Sequence, residues 1–420
     1  MNDRVVIGYE LGDKTCQITY YKDDMEEPKT FSSVEDEARF PLIIGKSGDE
    51  WTYGVAAKQM VSLGEGYTVS KLLSRVRTNE TIEIEEEEYD ARSLLKQFIK
   101  LSLASFTNIE AIVFSLEESD VQMHAILEDS ARALKISRRK FTVQTKKESF
   151  ARYLFAQAKD LWQYNAVLFA YDGTSIEAYT FKRTLLEKKK PIFVTVEKVA
   201  SITMKEISPA FPIMDERRAK YADEKFLDFV EGVFQKKVVT SVFLMGEVFN
   251  QDWYPDSLKR LCRQRRVFKG NNLFSRGACH TAMSYFESKE IQYVYMDESK
   301  LPARILLTTR VSGAEVEAPI LHWGKAWYEA EQLSEILLRE PEDLMISVEY
   351  LSGEREEYVI PIEGFPERKV YSYRLACRVG CKRENFVDIE IKDAGFGVFY
   401  AKTEFETSLS VKLKGGIDGQ

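Results

Sequence analysis

Histidine is almost missing from this sequence: His124, His280 and His322 are the only three in 420 residues. None has a cysteine or a second histidine at ligand spacing, which speaks against a zinc site. No Ser/His/Asp or Cys/His set can be read either. Cysteine is equally thin. The five, Cys16, Cys262, Cys279, Cys377 and Cys381, are odd in number, scattered and never in C-x-x-C spacing. That pattern excludes a disulfide framework and fits reduced thiols in a cytoplasmic protein. Positive charge is in deficit, with 59 Lys and Arg against 67 Asp and Glu, a net charge of -8. Nucleic acid is therefore not expected as a partner, because a phosphate backbone needs a basic face. Long apolar runs are absent too. No stretch approaches the roughly 20 residues of a membrane span, and the opening MNDRVVIGYELGDK lacks the basic start and apolar run of a signal peptide.

What is present is core-forming material. Hydrophobic residues make up 44%, with 25 Phe and 21 Tyr, enough for several packed cores. A chain of 420 residues exceeds the ~250–300 that one core supports, so two or three domains are expected. The opening VVIGYELGDKTCQITYYK reads as a hairpin in which Gly8 and Gly12 flank a polar tip, Asp13-Lys14-Thr15. A helix is expected after Gly54. The acidic run Glu85–Glu88 reads as a solvated lead-in to an amphipathic helix carrying Leu94, Leu95, Phe98 and Ile99. IEAIVFSLE reads as a buried strand and Asp120 to Leu134 as a helix. NAVLFAYDGTSIEAYTF is again strand, polar glycine turn, strand, and 185–191 reads as an exposed tip. SVFLMGEVF is a buried strand ending at Gly246, and GACHTAMSYFES a helix. From about Glu287 the texture changes to short alternating strands, with YEAEQLSEILL as the one helix-like stretch. The aromatics of GFGVFYA, with Trp323, Trp327 and Tyr328, read as core for these strands; exposed, they would form a partner surface.

The first part thus contains one unit twice: strand, polar turn, return strand, then a further strand and helices. Two such tips, Gly12-Asp13-Lys14-Thr15 and Asp172-Gly173-Thr174-Ser175, suit a cleft that grips phosphates with backbone N–H groups and hydroxyls.

On these residues the chain resembles the actin-like ATPase superfamily, most of all its chaperone (DnaK-type) branch. IGYELGDKTCQI resembles the first phosphate loop, YDGTSIEAYTF the second, VFLMGEVF the adenosine strand, and RGACHTA the closing helix. The resemblance implies an α/β fold: a duplicated, ribonuclease-H-like (actin-like) nucleotide-binding domain with lobes at 1–160 and 161–287, then an all-β, sandwich-like domain at 288–420. It implies ATP and Mg2+ as cofactors. Glu10 would hold the metal and share catalysis with Asp172. Gly12, Asp13, Lys14, Thr15, Gly173, Thr174, Ser175, Gly246 and Glu247 would contact nucleotide.

The sequence departs from the family pattern at these same places. Glu10 and Asp13 stand where the family has Asp and a hydroxyl. Of Asp-x-Gly-Gly-Gly-Thr only Gly173-Thr174 remains, with Phe169 at the expected Asp and Asp172 in place of a Gly. Gly246-Glu247 replaces a double glycine. The expected function is ATP binding with slow or absent hydrolysis, coupled to a protein- or peptide-binding β domain. The alternative is a pseudo-ATPase or cytoskeletal scaffold working through protein contacts without turnover. A sugar or acetate kinase is disfavoured, because no second-substrate pattern stands out.

Overall fold

The computed structural model describes residues 4–32, 38–183, 191–207, 215–287, 292–311 and 314–414. The chain is of mixed α/β class, and its described residues group into two compact units. One comprises those of Met1–Arg183 and Val194–Glu290, the other those of Thr184–Phe193 and Ile291–Gln420. Most of the expected tip at 185–191 and of the expected boundary segment at 287–289 lies outside the described residues.

The first unit is organised by two sheets with the same strand order. In one the order is Phe141–Thr145, Ile109–Leu116, Val5–Leu11, Thr15–Lys22, Lys29–Thr30. In the other, Arg266–Lys269, Val239–Met245, Asn165–Tyr171, Ser175–Arg183 and Ile192–Thr203 follow one another. Each has three parallel strands continued by antiparallel neighbours. Even an irregularity is repeated. The register slips by one residue between Val5 and Val6, whose partners are Ile109 and Ala111, and again between Asn165 and Ala166, whose partners are Val239 and Ser241.

All seven residues of VVIGYEL are buried. Parallel strands covered on both faces read this way, as unbroken rather than alternating apolar runs. Gly8 does not flank the turn; it lies mid-strand, against the helix Leu273–Ser284. A Cβ on Gly8 would stand 2.2 Å from both the Cys279 nitrogen and the Ser275 carbonyl oxygen. On the same helix, a Cβ on Gly277 would come within 1.8 Å of the Ser149 carbonyl oxygen in the helix Lys146–Phe155. Between these close contacts runs a buried polar chain: the Thr281 hydroxyl donates to Gln144 (2.9 Å), Gln144 to the Ser149 hydroxyl (2.8 Å), and Ser149 pairs with Ser115 (2.7 Å). Buried polar groups stabilise only when satisfied in this way.

The acidic run corrects one expectation. Glu85 and Glu86 have φ of 51° and 63° and turn a hairpin between Thr81–Ile84 and Glu87–Asp90, rather than leading into the helix. Two consecutive positive φ values suit the tight hairpin turn. The helix starts at Ala91, capped by the Asp90 carboxylate on the Ser93 N–H. Glu85 and Glu87 both receive the Lys46 ammonium.

The second unit holds two four-stranded antiparallel sheets. Ala314–Leu321, Ala303–Val311, Leu344–Tyr350 and Arg355–Ile360 form one, and Glu331–Leu338, Tyr373–Arg383, Phe386–Asp393 and Glu406–Lys412 the other. Ile305, Val348, Leu375 and Ile389 share one core. The stretch expected to be helical is a single 3-10 turn, Trp327–Glu329, followed by the strand Glu331–Leu338, every residue of which pairs with Tyr373–Arg383. Sheet pairing overrides helix propensity here. Val398 and Phe399 of GFGVFYA also depart from expectation: they are exposed, not core. No helix among the described residues is long and apolar enough to cross a membrane.

Gly8→Ala tests the close packing. The new methyl must push a helix backbone, so the first unit should lose roughly 3 kcal/mol or more in urea unfolding; an unchanged midpoint would show that the helix yields freely.

Candidate functional site

Glu10 is the penultimate residue of its strand and is 1% exposed. An ionised carboxylate in that position requires a partner. Arg39 supplies it, donating from Nη1 to Oε1 at 3.1 Å and from Nη2 to Oε2 at 3.0 Å. This two-pronged geometry satisfies both carboxylate oxygens and is specific to arginine. Arg39 reaches further. It donates to the Thr15 hydroxyl (3.4 Å) and to the Asn271 carbonyl (3.2 Å). Asn271 in turn accepts the Gly246 N–H on its side-chain oxygen at 3.0 Å. Charge attraction to Glu10, partly offset by burial, raises the guanidinium pKa above its ordinary value, and Glu247 adds to the effect.

These contacts join the end of the first strand to the end of Val239–Met245 in the second sheet. Of the residues expected at the site, Glu10, Thr15 and Gly246 are thereby brought together, with Glu247 within electrostatic reach. Gly246 has φ of 124°, and a Cβ there would lie 3.0 Å from the Tyr171 Cβ at the base of the second hairpin.

The other expected residues are engaged elsewhere. The Gly12 N–H closes the first turn onto the Thr15 carbonyl at 2.9 Å. Asp13 faces Ser74, accepting its N–H at 3.0 Å and its hydroxyl at 2.8 Å. It thus caps the helix Leu72–Arg77, whose own N-cap residue, Lys71, offers no side-chain cap. Lys14 is exposed and its carbonyl accepts from the Leu42 N–H at 2.9 Å. In the second hairpin the Asp172 carboxylate accepts from the N–H groups of Thr174 (2.8 Å) and Ser175 (2.7 Å). Gly173, at φ 99°, lets the chain turn between them. Those N–H groups are the ones a phosphate would need, and a carboxylate of the same chain already holds them.

The equivalence of the two hairpins also corrects an assignment. Gly12 bonds to Thr15 as Asp172 bonds to Ser175, so Glu10 corresponds to Ala170 and Tyr9 to Phe169. Phe169 is a core residue packed against Phe226, Phe229 and Phe234, not a replaced carboxylate. Among the described residues no group of three or more His, Cys, Asp or Glu gathers at metal-holding distance.

Arg39 and Asn271 are not legible from the sequence. Neither lies in a motif. One signal pointed to a missing cation: a glutamate inside an otherwise unbroken apolar strand. Replacing Arg39 by Ala strands that carboxylate and should destabilise the first unit by roughly 2–4 kcal/mol, and Lys should restore only part of it, lacking the second prong. Chemical denaturation of the three proteins measures this; equal stabilities would remove the pair's structural role.

Two family models match the chain. Residues 27–298 match one described as "Family of unknown function (DUF5716) C-terminal", and residues 300–413 match "Domain of unknown function (DUF8552)". The first match takes in Arg39, the second hairpin, Gly246 and Asn271, and starts after the first hairpin. No curated protein matches. Since the first match spans more than half of the 420 residues, the protein belongs to the DUF5716 family, by way of that family's C-terminal region.

Proposed function

We propose that the chain is an actin-like clamp of the chaperone branch that acts as a pseudo-ATPase, working through protein contacts rather than nucleotide turnover. The repeated strand order and the repeated register slip support a duplicated ribonuclease-H-like fold, with lobes at 1–160 and 161–287. The two antiparallel sheets of the second unit, with their shared core, support a sandwich-like partner-binding domain at 288–420.

The observation that carries the reading is the Glu10–Arg39 pair. In the superfamily the acid at this position holds the metal and its waters. Here both its oxygens are bound by a guanidinium of the same chain. Magnesium would have to displace that guanidinium and break both of its hydrogen bonds to the carboxylate, with two cations then close together, a costly exchange. A triphosphate would meet Asp172 across the turn amides it needs, and Asp13 locked onto Ser74. The side chains present therefore do not fit magnesium-ATP, and no hydrolytic step is derived. What the arrangement does is tie the first sheet to the end of the second through hydrogen bonds of this chain's own residues.

Titration calorimetry of the full chain with ATP and ADP, with and without magnesium, tests this alongside phosphate release. The expected result is no magnesium-dependent heat and no phosphate release above background. Saturable, magnesium-dependent binding with turnover would overturn it.

A further inference from the structure

The strand Val239–Met245 finishes beside the Glu10–Arg39 tie, and the opposite, starting ends of the parallel strands of its sheet form a separate edge of the first unit. The register lays that edge out. Ala166 pairs with Phe181, Asn165 with Val239, and Ser241 with Arg266. Just beyond these pairs, Arg183, Tyr164, Val238 and Arg265 follow one another across the sheet. The Arg183 Nη1 donates to the Gln163 carbonyl at 3.2 Å. The Asn165 N–H and side-chain amide both donate to the Val238 carbonyl, at 3.2 and 2.9 Å. Between the two arginines, Tyr164 is 57% and Val238 65% exposed, an aromatic and an aliphatic side chain left in water.

The charge of this edge runs against that of the chain, whose net value is -8. Three carboxylates nearby are already matched: Glu197 by Lys182, Glu231 by Arg260 and Asp160 by Arg266. Among the described residues no carboxylate stands at ion-pair distance from Arg183, Lys236, Lys237, Arg263 or Arg265. Asp228 lines a shallow recess with Lys237 but does not pair with it. Burial first, then the charge of Arg260, lowers the Arg265 pKa, and burial followed by Lys182 lowers that of Lys237. Cations crowded in this way gain from an added anion.

The arginines are also held in place. The Arg265 Nη1 donates to the carbonyls of Arg263 (3.1 Å) and Arg260 (3.4 Å), and its guanidinium lies 4.2 Å from the centre of the Phe234 ring. Neither Arg183 nor Arg265 uses Nη2 in a hydrogen bond among the described residues. A fixed guanidinium fork recognises a carboxylate by geometry, whereas a lipid surface asks only for charge. The placement thus favours a peptide carboxylate over a membrane.

From Ser175–Arg183 to Arg266–Lys269 the sheet takes three strand steps, about 14 Å at roughly 4.8 Å each. An extended chain covers that span in about four residues, with side chains i, i+2 and i+4 on one face. We propose that this edge binds an extended acidic segment of a partner protein. One carboxylate meets Arg183, an apolar side chain two residues on covers Tyr164 and Val238, and a second carboxylate two residues further meets Arg265 and Arg263. Lys236 and Lys237 strengthen the field between them. The site belongs to the first unit alone and stands whether or not nucleotide binds.

Fluorescence anisotropy of the full chain, without nucleotide, tests it with a labelled Gly-Glu-Ser-Leu-Ser-Glu-Gly peptide. Binding should saturate by millimolar peptide at low salt and weaken about tenfold or more at 0.5 M salt. The same peptide with glutamine for both glutamates should bind at least tenfold more weakly, and so should one with the two glutamates adjacent. Arg183→Gln and Arg265→Gln should each weaken binding about three- to tenfold. Arg265 also packs on Phe234, so exposed Lys236→Glu and Arg263→Glu, which should keep the wild-type thermal midpoint, provide the same loss without a folding effect. Tyr164→Ser should weaken binding with no change in its salt dependence. No saturation by the wild type, equal binding of the glutamine peptide, or full affinity in the Lys236→Glu and Arg263→Glu proteins would each overturn the proposal. So would binding to vesicles of phosphatidylcholine with 30% phosphatidylserine in place of the peptide, which would make the edge a membrane contact.

Discussion

The structure of the first unit turns on one electrostatic constraint: a carboxylate is held inside a strand that is buried from end to end. Left alone, Glu10 would cost several kcal/mol. Arg39 removes that cost and, through its remaining contacts with Thr15 and Asn271, converts it into a tie. The tie runs on to the Gly246 N–H at the end of the second sheet. Geometry elsewhere supports it. The glycines at 8 and 277 let the helix Leu273–Ser284 approach backbone to backbone, which holds the adjacent Asn271–Asn272 segment in place. Asn272 donates to the Thr30 hydroxyl at 2.7 Å, and Ser275 pairs with Thr19 at 2.7 Å, so the helix start is fixed against the first sheet.

The acidic residues of the two hairpins follow one logic. Asp13, Asp172 and Glu10 each satisfy a donor belonging to the same chain: a helix N-terminus, a turn and a guanidinium. Carboxylates placed where a phosphate-gripping fold has small residues and hydroxyls would be repulsive to phosphate. Used internally they are stabilising, since each accepts charge-assisted hydrogen bonds from donors of the same chain.

Local chemistry was legible in the sequence where it alone decided the outcome. Both hairpins, the strand ending at Gly246 and the helix expected from Asp120 to Leu134 are legible from turn glycines and apolar runs. Long-range partners were not legible. Gly8 looked like a turn residue because nothing nearby reveals that a helix some 270 positions later lies against it. The strand Glu331–Leu338 carries a helix-like pattern and becomes a strand by pairing with a segment further along the chain. Sequence spacing puts Phe169 at the expected acid, one place out of register, because spacing does not show which residues close the turn, whereas the Asp172–Ser175 hydrogen bond does.

The Glu10–Arg39 pair has a consequence for how such a centre responds to its surroundings. A divalent ion is borrowed from solution: chelators take it, scarcity empties its seat, and acid competes for its ligands. A guanidinium is covalently attached and stays protonated at any pH a protein survives. The centre of this unit therefore carries its positive charge as part of its sequence, and only mutation of the chain can remove it.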